Sequence, residues 1–448
     1  MRDRNDVTAG REVPEQRRIL AVLVFSQILS GAGLAAGITV GALLAEEMLG
    51  STGLAGVPSA LFTAGAALGA LGIGQICRRY GRRPGLALGY AVGALGSLGV
   101  VVAAAVGSAV LLFLALLVYG AGTSTGLMAR YAGADLASPE RRGRAVSTVL
   151  FATTLGAVVG PNLVTLTGEV AHSWGIPRLA GPFLLAVAAF GAAAVALAAL
   201  LRPDPLRLAE KLAAAQEAVA AQEAVAAQEA MAAGSTAEDT ADRPEPRLNR
   251  REVVIGTSVM VLTQLVMIAI MTMTPVHMQA HGHGTQAAGL VIALHVGAMF
   301  LPSPLTGLLV DRLGRRWIAG ASGLTLAVAG LLAALAPPHS VPALATALVL
   351  LGIGWNFGLI SGTAIVTDAL PPARRASAQG LVDVGIALAG AAGGMSSGLV
   401  VVVGGYPTLA LAGGVLALAV VPVVAWSVRR PAHTDTAPAS SHAEPEPK

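Results

Sequence analysis

The chain has 448 residues, of which 54% are hydrophobic and only 12% are charged, with a mean hydropathy of +0.70. A soluble domain carries roughly twice this charged fraction, so the composition excludes an ordinary soluble protein. The single cysteine, Cys77, excludes an intrachain disulfide and a cysteine-rich metal site.

Apolar segments long enough to cross a bilayer recur along most of the chain. Because lipid offers no partner for open backbone groups, each segment is expected to be an α-helix. The sequence therefore predicts an all-α polytopic membrane protein. Its twelve spans are predicted at residues 19–44, 54–76, 85–106, 109–131, 144–167, 180–201, 253–275, 286–310, 317–336, 341–364, 376–403 and 407–428.

The basic residues predict an orientation for these spans. With both termini in the cytoplasm, all of the 29 lysines and arginines except Arg178 fall on or beside cytoplasmic segments. By the positive-inside rule this arrangement predicts a multi-pass protein of the plasma (inner) membrane with both ends inside. The basic charge is thereby explained by topology, and no nucleic-acid partner is expected.

An arginine-rich turn occurs twice. "GQICRRYGRR" begins at Gly74 and "GLLVDRLGRR" begins at Gly307, an offset of 233 positions (307 against 74). The same offset relates Asp135 to Asp368, and Arg141-Arg142 to Arg374-Arg375. Two landmarks at one offset indicate that six spans were duplicated, an architecture found in transporters.

The segments outside the spans complete the predicted organisation. It comprises a cytoplasmic N-terminal arm (1–18), a six-helix bundle (19–201), a cytoplasmic linker (202–251), a second six-helix bundle (252–428) and a disordered tail (429–448). The linker contains "AQEAVAAQEAVAAQEAMAA", a six-residue repeat of strong helix formers. A six-residue period does not keep one helix face apolar, so a spacer helix is expected instead of a coiled coil.

These turns resemble the signatures of the major facilitator superfamily. "GLLVDRLGRR" is similar to its signature turn, and "DLASPERRGRA" from Asp135 is similar to its second inner-loop signature. The resemblance implies two pseudo-symmetric six-helix bundles around a central cavity, working by alternating access without catalysis or a cofactor. It also implies an inner gate, which we assign to Gly74, Arg78, Arg79, Arg82, Gly307, Asp311, Arg312, Arg315 and Asp383.

The first copy of the turn departs from the pattern, because Arg78 occupies the position of the acid Asp311. Asp311 can face a helix N-terminus or an arginine across the bundle interface. For the first copy we predict a swapped pair between Arg78 or Arg79 and Asp383, although Asp383 could instead couple transport to protons. Arg130 is expected to be a snorkelling charge at a helix end.

Methionines and a histidine indicate a candidate cargo site. Met267 and Met271 share a helical face with Gln264, and His295 shares one with Met299. Counted from the outer ends of their antiparallel spans, the two groups lie at nearly equal depth. Thioethers and imidazole suit Cu(I), whereas methionine is also a common packing residue.

The patterns M-x-x-x-M (Met267, Met271) and H-x-x-x-M (His295, Met299) resemble those of bacterial copper importers of the superfamily. Those importers supply copper for cytochrome oxidase assembly. The resemblance implies that these four side chains are copper ligands and that the protein takes up copper across the plasma membrane. Gln264 is added to the predicted substrate-binding residues only because it shares the helical face of Met267 and Met271.

A second resemblance favours a different cargo. "GAVVGP", which begins at Gly156, is similar to the start of the signature of drug–proton antiporters, although Val164 and Thr165 replace its closing glycines. The alternative function is therefore proton-coupled efflux of drugs or small metabolites, and a packing kink would also explain the motif. No nucleotide-binding loop or nucleophile with a base is visible, so no enzyme is expected. We expect a monomer that carries a small molecule or a metal ion.

Overall fold

The computed structural model describes residues 14–49, 57–232 and 249–426, and every regular element in these ranges is helical. The first half of the chain forms α1 (Glu15–Leu49), α2 (Val57–Tyr80), α3 (Arg82–Val106), α4 (Ala109–Ala134), α5 (Arg142–Ser173) and α6 (Gly181–Leu200), with a 3₁₀ turn at Arg178–Ala180 before α6. The predicted arm as far as residue 13, linker residues 233–248 and the tail from residue 427 lie outside the described residues.

The linker and the second half are also helical. Their elements are α7 (Pro205–Ala232), α8 (Arg250–Ala280), α9 (Thr285–Phe300), α10 (Ser303–Leu313), α11 (Arg315–Leu335), α12 (Val341–Ala369), α13 (Pro372–Ala417) and α14 (Val420–Trp426). The spacer helix predicted for the linker is thus present as α7.

The helices account for twelve membrane spans. In the described ranges, nine segments are long and apolar enough to cross a membrane, and the last of them, Pro372–Trp426, contains two helices. The first comprises residues 372–404 and the second residues 406–426, and they meet within α13 at Gly405, whose φ of +79° is accessible to glycine at little cost. With α1 and α5, which have 35 and 32 residues, the count is twelve. The all-α fold predicted from the sequence is confirmed.

The eighth span was predicted as one helix, whereas the structure divides it into α9 and α10. The break falls at Leu301 and Pro302, and Pro304 follows in the first turn of α10. Proline lacks an amide hydrogen and clashes with the preceding turn. The apolar pattern continues through the break, so hydrophobicity alone did not reveal it.

Each half packs as a bundle, and the halves meet along two helix crossings. In the first half α1 packs against α5 and α6, and in the second α8 packs against α12 and α13. Between the halves, α2 crosses α13 and α5 crosses α10. We call the end where α2, α4, α10 and α12 finish, and α3, α5, α11 and α13 begin, the arginine-rich end.

The linker helix starts on the arginine-rich end. Asp204 accepts hydrogen bonds from the amide of Arg83 at 2.7 Å and from the amides of Leu206 and Arg207 at 3.1 Å. One carboxylate therefore satisfies amides in the first turns of both α3 and α7. Leu206 belongs to the same buried apolar cluster as Ala376 of α13, so the start of the linker joins the packing of both halves.

Candidate functional site

A buried ion-pair triad joins the halves at the arginine-rich end. Arg82 donates from Nε to Asp135 Oδ2 at 2.8 Å, and neither side chain is exposed. From the second half, Arg375 places Nη1 3.8 Å from Asp135 Oδ1 and donates to the Asp135 carbonyl oxygen at 3.1 Å. One carboxylate thus neutralises two arginines, one from each half.

A second triad repeats the first with the halves exchanged. Asp368 pairs with Arg315 of its own half and with Arg142 of the first half. The offset of 233 positions converts Asp135, Arg82 and Arg142 into Asp368, Arg315 and Arg375. Each triad is therefore the symmetry mate of the other, although the Asp368 side chain is 21% exposed whereas that of Asp135 is fully buried.

The turn between α4 and α5 adds a carboxylate beside the second triad. The backbone amide of Glu140 and the Ser138 side chain hold the pKa of the Glu140 carboxyl below its usual range, and the nearby charge of Arg315 acts in the same direction. Glu140 therefore stays ionised and contributes negative charge near Arg315 of the second triad.

The signature glycines lie where the halves touch. A Cβ on Gly74 would lie 3.1 Å from the Cα of Gly380, and a Cβ on Gly307 would lie 2.2 Å from Ser147 Oγ. The offset of 233 also relates Ser147 to Gly380, so the two crossings have equivalent geometry. A larger residue at Gly307 would force α5 and α10 apart.

Asp311 and Arg78 occupy equivalent positions but have different surroundings. Asp311 accepts from the amides of Gly143 and Arg144 at 2.8 and 3.1 Å and pairs with Arg144 Nε at 3.0 Å. It therefore caps the start of α5, as expected for an acid at a helix N-terminus. Arg78 is exposed and donates to Gln75 Oε1 at 2.9 Å.

The start of α13 explains this difference. It begins at Pro372, whereas α5 begins at Arg142, which corresponds to position 375. Positions 376 and 377 are the repeat equivalents of Gly143 and Arg144, whose amides Asp311 caps. Because α13 starts three positions earlier in the repeat, the amides at 376 and 377 lie inside a helical turn and bond to preceding carbonyls. No acid is needed to cap them, which leaves position 78 free to carry an arginine.

One buried charge pair breaks the symmetry of the repeat. Arg130 donates from Nη2 to Asp383 Oδ1 at 2.6 Å and from Nε to Thr363 Oγ1 at 3.0 Å. Tyr131 donates to Asp383 Oδ1 at 3.1 Å. The offset converts Arg130 into Thr363 and places Leu150 at the position equivalent to Asp383, so the pair has no counterpart.

This pair corrects two predictions. The swapped pairing of Arg78 or Arg79 with Asp383 is wrong, because Asp383 pairs with Arg130. Arg130 is also no snorkelling charge, since its side chain is completely buried. Asp383 lies eleven residues into α13, about 16 Å along the helix at 1.5 Å per residue, which is beyond the exposed end of α2 that carries Arg78.

The carboxylate of Asp383 is incompletely satisfied. Its Oδ1 accepts from Arg130 and Tyr131, whereas Oδ2 is buried and has no hydrogen-bond partner in the described part of the chain. A buried acceptor without a donor is costly. Tyr131 and Thr363 were not identified from the sequence as partners of this pair. Thr363 could have been found from the sequence, because it is the residue that the offset of 233 positions relates to Arg130.

The predicted metal ligands lie in the second half. Met267, Met299 and His295 are buried, the two methionines belong to one apolar cluster, and Met271 packs against its edge. His295 Nδ1 lies 2.7 Å from the Leu348 carbonyl oxygen on α12, and its Nε2 is buried and has no hydrogen-bond partner among the described residues.

Gln264, the remaining residue of the predicted cargo site, contacts an aromatic side chain. Gln264 accepts from Trp355 Nε1 at 2.6 Å, and the indole meets Phe300 edge-on with ring centroids 5.6 Å apart. The described ranges contain no group of three or more His, Cys, Asp or Glu side chains arranged to hold a metal ion. A metal site here would depend on thioethers.

The segment similar to drug antiporters has a packing role at its first residue. A Cβ on Gly156 would lie 1.9 Å from the Ile28 carbonyl oxygen and 2.8 Å from the Ala32 amide nitrogen. Glycine is therefore required for the close approach of α1 and α5. The side chains of residues 157–162 are outside the described part of the structure.

Comparison with known proteins agrees with this architecture. The sequence profile of the Major Facilitator Superfamily matches residues 21–301 and 256–448, which together cover most of the chain. The chain belongs to the Major Facilitator Superfamily. It is 51% identical over 421 residues to the uncharacterised MFS-type transporter YddS of Bacillus subtilis (strain 168), with 92% of each chain covered.

Two further similarities are more distant. The chain is 32% identical over 371 residues to the riboflavin transporter RfnT of Brucella anthropi, covering 82% of this chain and 85% of the relative. The proton:xylose symporter XylE bound to 6-bromo-6-deoxy-D-glucose has the same fold, with a TM-score of 0.69, 16% identity, and coverage of 92% and 96%. The protein is therefore a secondary transporter of the Major Facilitator Superfamily.

Proposed function

We propose that this transporter couples the movement of a small organic solute to protons, with Asp383 as the proton-binding group. The observation that carries the proposal is the buried Arg130–Asp383 pair, which lacks a repeat equivalent and leaves Asp383 Oδ2 without a donor. Ionisable residues inside membrane segments are costly and usually functional. Protonation of Asp383 would remove the charge that balances Arg130 and weaken contact between the halves.

An organic cargo is supported by a relative and by side-chain chemistry. The relative RfnT is named a riboflavin transporter. In this chain Trp355 and Phe300 provide aromatic surface beside the amide of Gln264. Aromatic rings and a side-chain amide suit a planar heterocycle with hydrogen-bonding edges, and we propose that the cargo belongs to this class.

The test is transport by purified protein in liposomes, with riboflavin and xylose as probes. A gradient of one pH unit should support up to about tenfold accumulation of riboflavin if one proton accompanies each cargo molecule, and xylose should not accumulate. Dissipating the gradient with a protonophore should abolish accumulation. Accumulation that is indifferent to the gradient would contradict proton coupling, and absence of riboflavin transport would contradict a flavin-like cargo.

Cu(I) is a second candidate cargo. It is favoured by the unpartnered Nε2 of His295 and by the burial of Met267 and Met299 in one cluster. A neutral imidazole and thioethers are suitable ligands for this ion. His295→Gln should then lower the affinity for copper by about 10- to 100-fold, measured as uptake of Cu(I) into the same liposomes. Unchanged copper uptake by folded His295→Gln protein would exclude these ligands.

The orientation is also proposed from the sequence. We propose that the arginine-rich end faces the cytoplasm in the plasma (inner) membrane, because most basic residues of the described turns lie there. Both termini would then be cytoplasmic. The linker 202–251, which joins the bundles at 19–201 and 252–428, would be cytoplasmic as well. A monomer suffices for this arrangement, because the gate described above is formed by two halves of one chain.

A further inference from the structure

The charge of Arg78 is not used by the gate. Its side chain donates a hydrogen bond to Gln75 in the same helix, and among the described residues neither Arg78 nor Arg79 forms an ion pair. The start of α13 already satisfies the amides that the equivalent acid, Asp311, caps in the other half. Two adjacent guanidinium groups are therefore available at the end of α2.

The apolar parts of these side chains and their neighbours border a surface hollow. It has a volume of about 270 Å³ and is lined by Gln75, Ile76, Arg78, Arg79 and Tyr80. The Arg79 guanidinium lies 5.3 Å from the centroid of the Tyr80 ring. Guanidinium groups, a phenol and a side-chain amide can all donate hydrogen bonds to phosphate oxygens.

The linker adds a further positive group. Arg207 of α7 donates from Nη2 to the carbonyl oxygen of Arg79. Its guanidinium is partly neutralised by Glu210, whose Oε2 lies 2.8 Å from Nη1. Arg207 thus brings a further donor close to the hollow, although Arg78 and Arg79 line it directly.

An apolar stripe on α2 leads to the hollow. Leu68 and Leu71 are 59% and 37% exposed, and a Cβ on Gly72 would meet no atom within 4 Å. Leu68, Leu71, Gln75 and Arg79 follow one another at spacings of three, four and four residues, which places them on one helix face. The face is thus apolar within the predicted span 54–76 and basic just beyond it.

We propose that Arg78 and Arg79, at the edge of this apolar hollow, bind the headgroup of an anionic phospholipid. The phosphate would contact Arg78 and Arg79, Tyr80 would lie at the interface where tyrosine is enriched, and an acyl chain would lie along Leu68 and Leu71. Basic pockets at helix ends bind anionic lipids in this way. The shared chemistry is a phosphate group, and free inorganic phosphate is the other possible source of it.

The test compares lipid retention by purified protein in native mass spectrometry. Wild-type protein should retain phosphatidylglycerol in preference to phosphatidylcholine, which has no net negative charge. The double variant Arg78→Gln, Arg79→Gln should retain about tenfold less phosphatidylglycerol, since each arginine near a membrane surface contributes on the order of a few-fold to binding of anionic lipid. The matched control is Arg312→Gln, because exposed Arg312 is the repeat equivalent of Arg79.

Three results would overturn the proposal. The first is equal retention of phosphatidylglycerol by wild-type protein and by the double variant, provided that both elute as folded protein. The second is an equal loss in Arg312→Gln, which would indicate a general effect of surface charge. The third is displacement of the lipid by inorganic phosphate at equal concentration, which would assign the hollow to free phosphate. None of these results depends on the cargo or on proton coupling.

Discussion

Replacing Asp383 with asparagine should abolish proton-driven accumulation of cargo while leaving exchange of cargo between the two sides intact. Asparagine keeps the shape of the side chain and an oxygen that can accept from Arg130, which lies 2.6 Å from the carboxylate. It cannot bind and release a proton, so cargo movement would no longer be tied to the gradient. The measurement is accumulation and counterflow in the same liposomes.

The variant also leaves the Arg130 charge buried without a carboxylate, a change that costs about 3–5 kcal/mol in comparable buried pairs. The double variant Arg130→Gln, Asp383→Asn removes this cost, because both partners are then neutral. It should restore stability but not accumulation. Glu252→Gln is the matched control, since Glu252 pairs with Arg316 within the second half. Normal accumulation by Asp383→Asn protein would exclude Asp383 as the coupling group.

Replacing Asp135 with asparagine should destabilise the closed arginine-rich end. The change leaves Arg82 and Arg375 without the carboxylate that neutralises both, and the site is buried. Loss of one member of a buried ion pair costs about 3–5 kcal/mol. The repeat-equivalent change Asp368→Asn should cost about 1 kcal/mol or less, because this side chain is 21% exposed and solvent screens its partners.

Cys77 provides a direct measurement of this effect. It is the single cysteine in the chain, it is buried, and Arg82 lies beside its thiol. When Asp135 no longer holds Arg82, the turn between α2 and α3 should loosen and a maleimide should label Cys77 about tenfold faster or more. The melting temperature should fall in parallel. Equal labelling rates in Asp135→Asn and Asp368→Asn protein would contradict a dominant role for the buried triad.

The amino-acid pattern alone determined the number of spans and the duplication. A long apolar segment predicts a membrane-spanning helix without knowledge of its neighbours, because the cost of an unpaired backbone group in lipid does not depend on which helix lies beside it. The offset of 233 positions likewise required no structure, and it already related the residues that form the two triads. The positions of the signature residues at the arginine-rich end were therefore predictable, although their ion pairs were not.

The tertiary structure decided which charges meet. Arg130 and Asp383 are 253 residues apart and have no repeat equivalents that could reveal the pairing. Whether α13 directs Asp383 toward α4 or toward the end of α2 depends on how the halves pack, and small rotations of a helix change its contacts. The exchange of Asp311 for Arg78 was explained only by the earlier start of α13. Helix starts depend on capping and tertiary contacts, whereas the apolar pattern locates them to within only a few residues.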